Sequence, residues 1–187
     1  MTQRGQWVFV LVILGLLGGA LIVGLAVTPA LAPVSVESKA PEFEAVDVLS
    51  RDTVRLDAYR GKVILLNVWA TWCPPCVEEM PSMQRLYDQL GSQGLAVVAV
   101  SVDNADTEDV EQWIRERGFT FDVLHDRAAK IERTYQTTGV PESFVIDREG
   151  VIVKKVIGAA DWDHPTQVTL LRRLLRTDGE ILEDQGS

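Results

Sequence analysis

The sequence predicts an α/β domain, a mixed central sheet flanked by helices, behind a single N-terminal transmembrane helix. Three observations predict it. Residues 63–69 and 95–102 are nearly unbroken apolar runs, the pattern of strands covered on both faces. Apolar residues recur at helical spacing over 74–90 and 107–117. Two short runs either side of Arg148-Glu149-Gly150 read as an antiparallel hairpin. Strands joined through helices predict a parallel centre, and the closing hairpin adds antiparallel strands at one edge.

From the N-terminus, residues 7–27 are wholly apolar or glycine. At about 1.5 Å per residue they span roughly 30 Å, one hydrocarbon core. Arg4 is the only charge before Glu37, so residues 1–6 are expected to stay cytoplasmic and everything after the span to be exported. A cleaved signal peptide is the rival, because Ala30-Leu31-Ala32 resembles a small-residue cleavage site. The apolar stretch is longer than a usual signal core, and Pro33 would follow the scissile bond, so a retained signal-anchor is the expectation. Residues 28–40, with Pro29 and Pro33 among small residues, read as a tether, 41–177 as one domain, and 178–187 as a flexible acidic tail.

Within the domain, residues 43–48 alternate and pair with 53–56 as a hairpin, and 57–61 form one helical turn ended by glycine. Met80, Met83, Leu86, Tyr87 and Leu90 line one side of helix 74–90; Val110, Trp113 and Ile114 share a face of helix 107–117. Residues 121–124 read as a short strand, 128–135 as a helix, and 143–147 with 151–157 as the hairpin. The last helix is expected after Asp163 as N-cap, with Pro165 in its first turn. Trp69 is expected in the core, Trp72 half-exposed beside the thiols, Trp113 in helix packing and Trp162 as a turn plug. His125 and His164 read as surface or capping residues.

The whole chain carries 18 basic and 27 acidic residues; beyond residue 32 the net charge is −10. That acidity argues against nucleic acid or anionic headgroups as partners of the exported part.

Both cysteines lie in Trp72-Cys73-Pro74-Pro75-Cys76, between a buried strand and a helix start. In that context Cys-x-x-Cys reads as a redox motif. A helix N-terminus stabilises the thiolate, the reactive form of cysteine, and residues three apart share a helix face, so the second can attack a disulfide formed by the first. A zinc knuckle lacks further ligands, since no third cysteine exists and the two histidines stand apart. A structural disulfide usually closes a longer loop.

Residues 66–76, Leu-Asn-Val-Trp-Ala-Thr-Trp-Cys-Pro-Pro-Cys, together with Gly139-Val140-Pro141-Glu142-Ser143-Phe144, resemble the thioredoxin superfamily. More narrowly they resemble its exported, membrane-anchored TlpA/ResA/CcmG (DsbE) branch, over about 41–176. The resemblance implies a thioredoxin-like fold with an added N-terminal hairpin. It makes Cys73 the nucleophile, Cys76 the resolving thiol and Val140-Pro141 a cis peptide that offers backbone to a substrate beside Trp72. It also makes Pro81 a helix-kinking proline. Thioredoxin has an aspartate six residues before its first cysteine; Asn67 stands there and cannot titrate. The branch moves that duty to a glutamate three residues after the second cysteine, here Glu79, with a solvated acid as the alternative. Glu142 resembles a Pro-Glu pair that tunes the thiols or recognises a partner; a plain turn acid is the alternative.

Taken together, the expectation is an exported, membrane-anchored thiol-disulfide oxidoreductase that reduces protein disulfides and needs no cofactor or metal. The resemblance implies apocytochrome c as leading substrate, within cytochrome c maturation, and a membrane electron donor of the DsbD or CcdA kind. The rivals are an oxidant of the same fold and a non-enzymatic docking module.

Overall fold

The computed structural model describes Trp7, residues 11–19 and residues 33–176, which fall into two compact units divided at Pro33. In the first, Trp7 and residues 11–19 are helical and almost entirely exposed. Among the described residues no helix is long and apolar enough to cross a membrane. The expected span at 7–27 lies partly, and the cytoplasmic residues 1–6 and acidic tail 178–187 wholly, outside the described residues.

The second unit is built on a seven-stranded sheet. Its strands are β1 (Glu44–Asp47), β2 (Thr53–Arg55), β3 (Val63–Trp69), β4 (Leu95–Ser101), β5 (Asp122–His125), β6 (Glu142–Ile146) and β7 (Ile152–Ile157). The helices are α1 (Pro74–Leu90), α2 (Thr107–Arg117), α3 (Lys130–Thr134) and α4 (Pro165–Leu175). Strand order is β2-β1-β5-β4-β3-β6-β7. β3, β4 and β5 are parallel, as βαβ crossovers require. The closing hairpin β6–β7 lies antiparallel against β3, and the first hairpin β1–β2 covers the opposite edge against β5. This is a thioredoxin-like α/β fold with helices on both faces of a mixed sheet.

The core follows from the apolar runs: all seven residues of β3 and all seven of β4 are buried. Alternate side chains then sort by face. Asn67, bonded to its register partner Ser143, meets Glu79 of α1, Trp69 packs on Trp113 of α2, and Lys154 reaches Gln167 of α4. Three helices therefore share that face. On the other, Phe144 packs against Tyr135 at the end of α3, and Tyr135 against Phe43. Residues 37–40, the end of the expected tether, hydrogen-bond along residues 150–152, so this part is fastened to the domain.

Several local details differ from expectation, among them a helix α3 that starts at Lys130 rather than residue 128 because Ala129 is left-handed. The N-cap of α4 is His164, whose Nδ1 accepts from the Thr166 N–H at 3.3 Å; Asp163 instead forms a bidentate pair with Arg85. His125 is buried rather than superficial, because β5 is an inner strand between β1 and β4. That strand runs one residue later than expected, taking in His125. Trp72 is 66% exposed, more open than a half-covered lid.

Candidate active site

The site grows from the carboxyl end of β3. Beyond Trp69 the chain turns through residues 70–73, closed by the Cys73 N–H donating to the Ala70 carbonyl at 3.2 Å, and α1 begins. Pro74 and Pro75 occupy the first helical positions, where no N–H is needed and the proline φ is already helical. Cys73 is thereby the N-cap: its Sγ accepts from the Cys76 N–H at 3.3 Å. The helix dipole and this donor both favour negative charge on that sulfur. Cys73 and Cys76 are joined as a disulfide, with Cα atoms 5.3 Å apart.

The two sulfurs are not equivalent in access. Cys76 is fully buried, while Cys73 sits at the surface edge, 4% exposed, among exposed Trp72, Pro74 and Pro75. The Val140 carbonyl oxygen lies 3.6 Å from Cys73 Sγ, and the Val140–Pro141 peptide is cis. A segment lying along Val140 would therefore meet Cys73 and not Cys76.

Glu79 and its neighbour Glu78 separate cleanly. Glu78 is exposed; Glu79 is 3% exposed and turned into the protein. Its Oε1 accepts from Asn67 Nδ2 at 2.8 Å, and its Oε2 from the Ala160 N–H at 2.9 Å and the Trp162 indole N–H at 3.3 Å. Burial pushes the Glu79 carboxyl up from the ordinary carboxylate range, against the pull of those three donors. Cys76 and Glu79, three residues apart, lie on one buried face of α1. The same Asn67 amide also donates to Ser143 Oγ at 2.8 Å. Asn67, at the position read as unable to titrate, thus acts as a donor to the carboxyl.

Glu142 is fully buried but on the other face, since it faces Val68 in the register while Ser143 faces Asn67. Its Oε2 accepts from the Thr138 N–H and hydroxyl, at 2.9 and 3.2 Å, and Lys155 Nζ lies 2.8 Å from Oε1. Glu79 and Glu142 are therefore not one network. The structure brings Cys73, Cys76 and Glu79 together along α1 and puts Val140 beside Cys73. Glu142 stands behind, two residues along the chain from Val140.

Sequence reading missed Trp162, Ala160 and Ser143 as partners of this site, and Asp103 entirely. Asp103 is 2% exposed and grips the turn before the cysteines. Thr71 donates its N–H to Oδ2 at 3.0 Å and its hydroxyl to Oδ1 at 2.6 Å, and Ser101 donates its hydroxyl to Oδ2 at 2.6 Å. The available signal was positional: carboxyl ends of neighbouring parallel strands converge on functional crevices, and Trp69 pairs with Ser101. Among the described residues no group of three or more His, Cys, Asp or Glu could hold a metal ion.

A sequence profile of the AhpC/TSA family matches residues 36–155. The thiol-disulfide oxidoreductase ResA of Bacillus anthracis is 37% identical over 120 residues, 64% of this chain and 68% of that one. ResA of Geobacillus thermodenitrificans is 38% identical over 125 residues, 67% of this chain and 71% of its own. Among solved structures, a candidate DsbE thiol:disulfide interchange protein from Chlorobium tepidum superposes with a TM-score of 0.70 at 29% identity. It covers 76% of this chain and 99% of its own.

Proposed function

The chain belongs to the AhpC/TSA family and is a thiol-disulfide oxidoreductase of the ResA and DsbE type, and from that premise we propose that it works as an exported reductant of protein disulfides, anchored by residues 7–27. The observation that carries the chemistry is the Cys73 sulfur at the head of α1, at the surface edge beside Val140, with fully buried Cys76 and buried Glu79 behind it on the same helix.

In the reduced chain the Cys73 thiolate, stabilised by the helix N-terminus, attacks one sulfur of a substrate disulfide. That bond breaks, the other substrate sulfur leaves as a thiolate and takes a proton from water, and a mixed disulfide forms. The Cys76 proton passes to Glu79, whose raised carboxyl is better matched to a thiol than an ordinary carboxylate would be. The Cys76 thiolate then attacks Cys73 Sγ, and the second substrate sulfur departs and is protonated. Two electrons have moved to the substrate, and the chain is left as the Cys73–Cys76 disulfide. A thiol donor must return them; an integral membrane dithiol protein of the DsbD or CcdA kind fits an anchored, exported domain. The Val140 backbone, Trp72 and Pro141 would hold a substrate by main-chain pairing rather than by sequence, as suits a mobile protein such as apocytochrome c within cytochrome c maturation.

The test is the Cys76→Ser chain, which stops after the first attack. It is expected to accumulate disulfide-linked partners through Cys73, identified by mass spectrometry. Haem-free cytochrome c among them supports this substrate. Recovery of none, from cells in which the protein is present and folded, rejects the mechanism. An oxidant of the same fold would give the opposite net reaction, so a wild-type chain that oxidises reduced protein and fails to reduce an oxidised one rejects the direction.

A further inference from the structure

Asp103 has no part in the reaction just described, yet it is the most heavily tied carboxylate around the active-site turn. Its carboxylate takes the Thr71 N–H, the Thr71 hydroxyl and the Ser101 hydroxyl, and its own N–H donates back to Ser101 Oγ at 3.1 Å. Its backbone is fixed in turn: the Asp103 carbonyl oxygen lies 2.9 Å from Nε2 of buried His125, whose Nδ1 lies 2.9 Å from the Thr107 hydroxyl at the start of α2. β4 thus reaches the side chain through Ser101, β5 reaches the backbone through His125, and α2 reaches His125 through Thr107, fixing the one residue that holds Thr71, two before Cys73.

We propose that Asp103 is the positioning residue of the active-site turn and that its carboxylate, held against that turn, disfavours the Cys73 thiolate and so biases the pair toward the disulfide. The inference rests on the reductant reading and deepens it. Residues 70–73 form a hydrogen-bonded turn, and the Asp103 carboxylate sits on Thr71, two residues before Cys73. Across about 10 Å at an effective dielectric of about 20, one charge alters a thiol's ionisation about tenfold. The other buried charges near the pair are placed differently. Glu79 on α1 is turned toward Asn67 and the segment 160–162, and Glu142 on the far face is paired with Lys155. A less stable thiolate means a less stable dithiol form, hence a stronger drive to give up electrons.

The experiment uses the full-length chain in detergent, reduced, with Asp103→Asn and Thr71→Val variants. Asp103→Asn removes the charge and keeps an acceptor; Thr71→Val keeps the charge and removes a turn contact. Iodoacetamide alkylation of Cys73 against pH reads its ionisation, and equilibration with glutathione buffers reads the potential. Asp103→Asn is expected to favour the thiolate about tenfold, one pH unit, and to raise the potential by up to about 30 mV, that tenfold converted for a two-electron couple. Thr71→Val is expected to shift neither in that direction. No change or a reversed change in Asp103→Asn, or the same change in Thr71→Val, overturns the proposal. If Asp103→Asn does not fold, Asp103→Ser replaces it with the same criteria. The comparison is with the parent chain, so it reads the role of Asp103 even if the parent proves not to be a reductant.

Discussion

Glu79 is the residue on which mechanism and stability meet. Its carboxyl is raised by burial, so the fold favours its uncharged form. The stability this contributes is complete below the ordinary carboxylate range and is lost as pH rises through the raised value. Urea denaturation from pH 4 to 8 should therefore show the parent losing stability relative to Glu79→Gln as pH increases. The same variant cannot take the Cys76 proton. Stopped-flow resolution of a Cys73 mixed disulfide is expected to slow about a hundredfold near neutral pH and to lose the rising limb that Glu79 ionisation gives. If Glu79→Gln resolves as fast as the parent, a different base serves Cys76. Sequence spacing put Glu79 one turn after Cys76 but left it level with Glu78. Only burial, 3% exposure against an exposed neighbour, separates them.

At the scale of elements, the active site depends on the segment 160–162, which closes over α1 from some 80 positions further along the chain. The Trp162 backbone N–H also donates to Ser82 Oγ at 2.9 Å, so this segment is fastened to α1 at both Glu79 and Ser82. Removing the indole donor in Trp162→Phe withdraws support from the ionised Glu79 carboxyl. The rising limb of the resolving step should move to higher pH, with a stability loss of about 1–3 kcal/mol measured by urea titration. An unshifted limb would mean that the indole packs without tuning the acid. The sequence could mark Trp162 as a plug but not as a donor, because the pairing is set by tertiary closure and not by any periodicity. The ends of α1 and α2, by contrast, were legible. Gly118 terminates α2 at φ 70°, where an added Cβ meets no atom within 4 Å. Gly118→Ala should therefore destabilise by about 1 kcal/mol through left-handed backbone alone, read as a lower Tm with unchanged turnover.

Across the whole molecule, most of the sheet could be read from the sequence, because β3 and β4 are apolar throughout and the order of strands and helices leaves few topologies. What spacing could not reveal was convergence. Asp103 follows β4 and His125 ends β5, and they matter only because those strands end beside Thr71. The proposed anchor belongs to this scale too, since it decides where the dithiol meets its substrates. Residues 7–27 carry no charge, and Arg4 alone precedes Glu37. A retained span of that kind puts the net charge of −10 and both cysteines on the far side of the membrane from residues 1–6. The full-length chain should then stay with membranes in alkaline carbonate. In reduced, intact spheroplasts a membrane-impermeant maleimide should label Cys73, and the intact mass should include residues 1–32. Processing after Ala32 would give a protein beginning at Pro33 that carbonate releases, and failure to label without permeabilisation would put the domain in the cytoplasm. The anchored outcome has a kinetic consequence: a membrane donor and this domain would share one surface, so re-reduction would be governed by an effective concentration rather than by bulk encounter. Releasing the domain by cleavage in the tether should then slow its re-reduction in membranes while leaving its attack on a soluble disulfide unchanged.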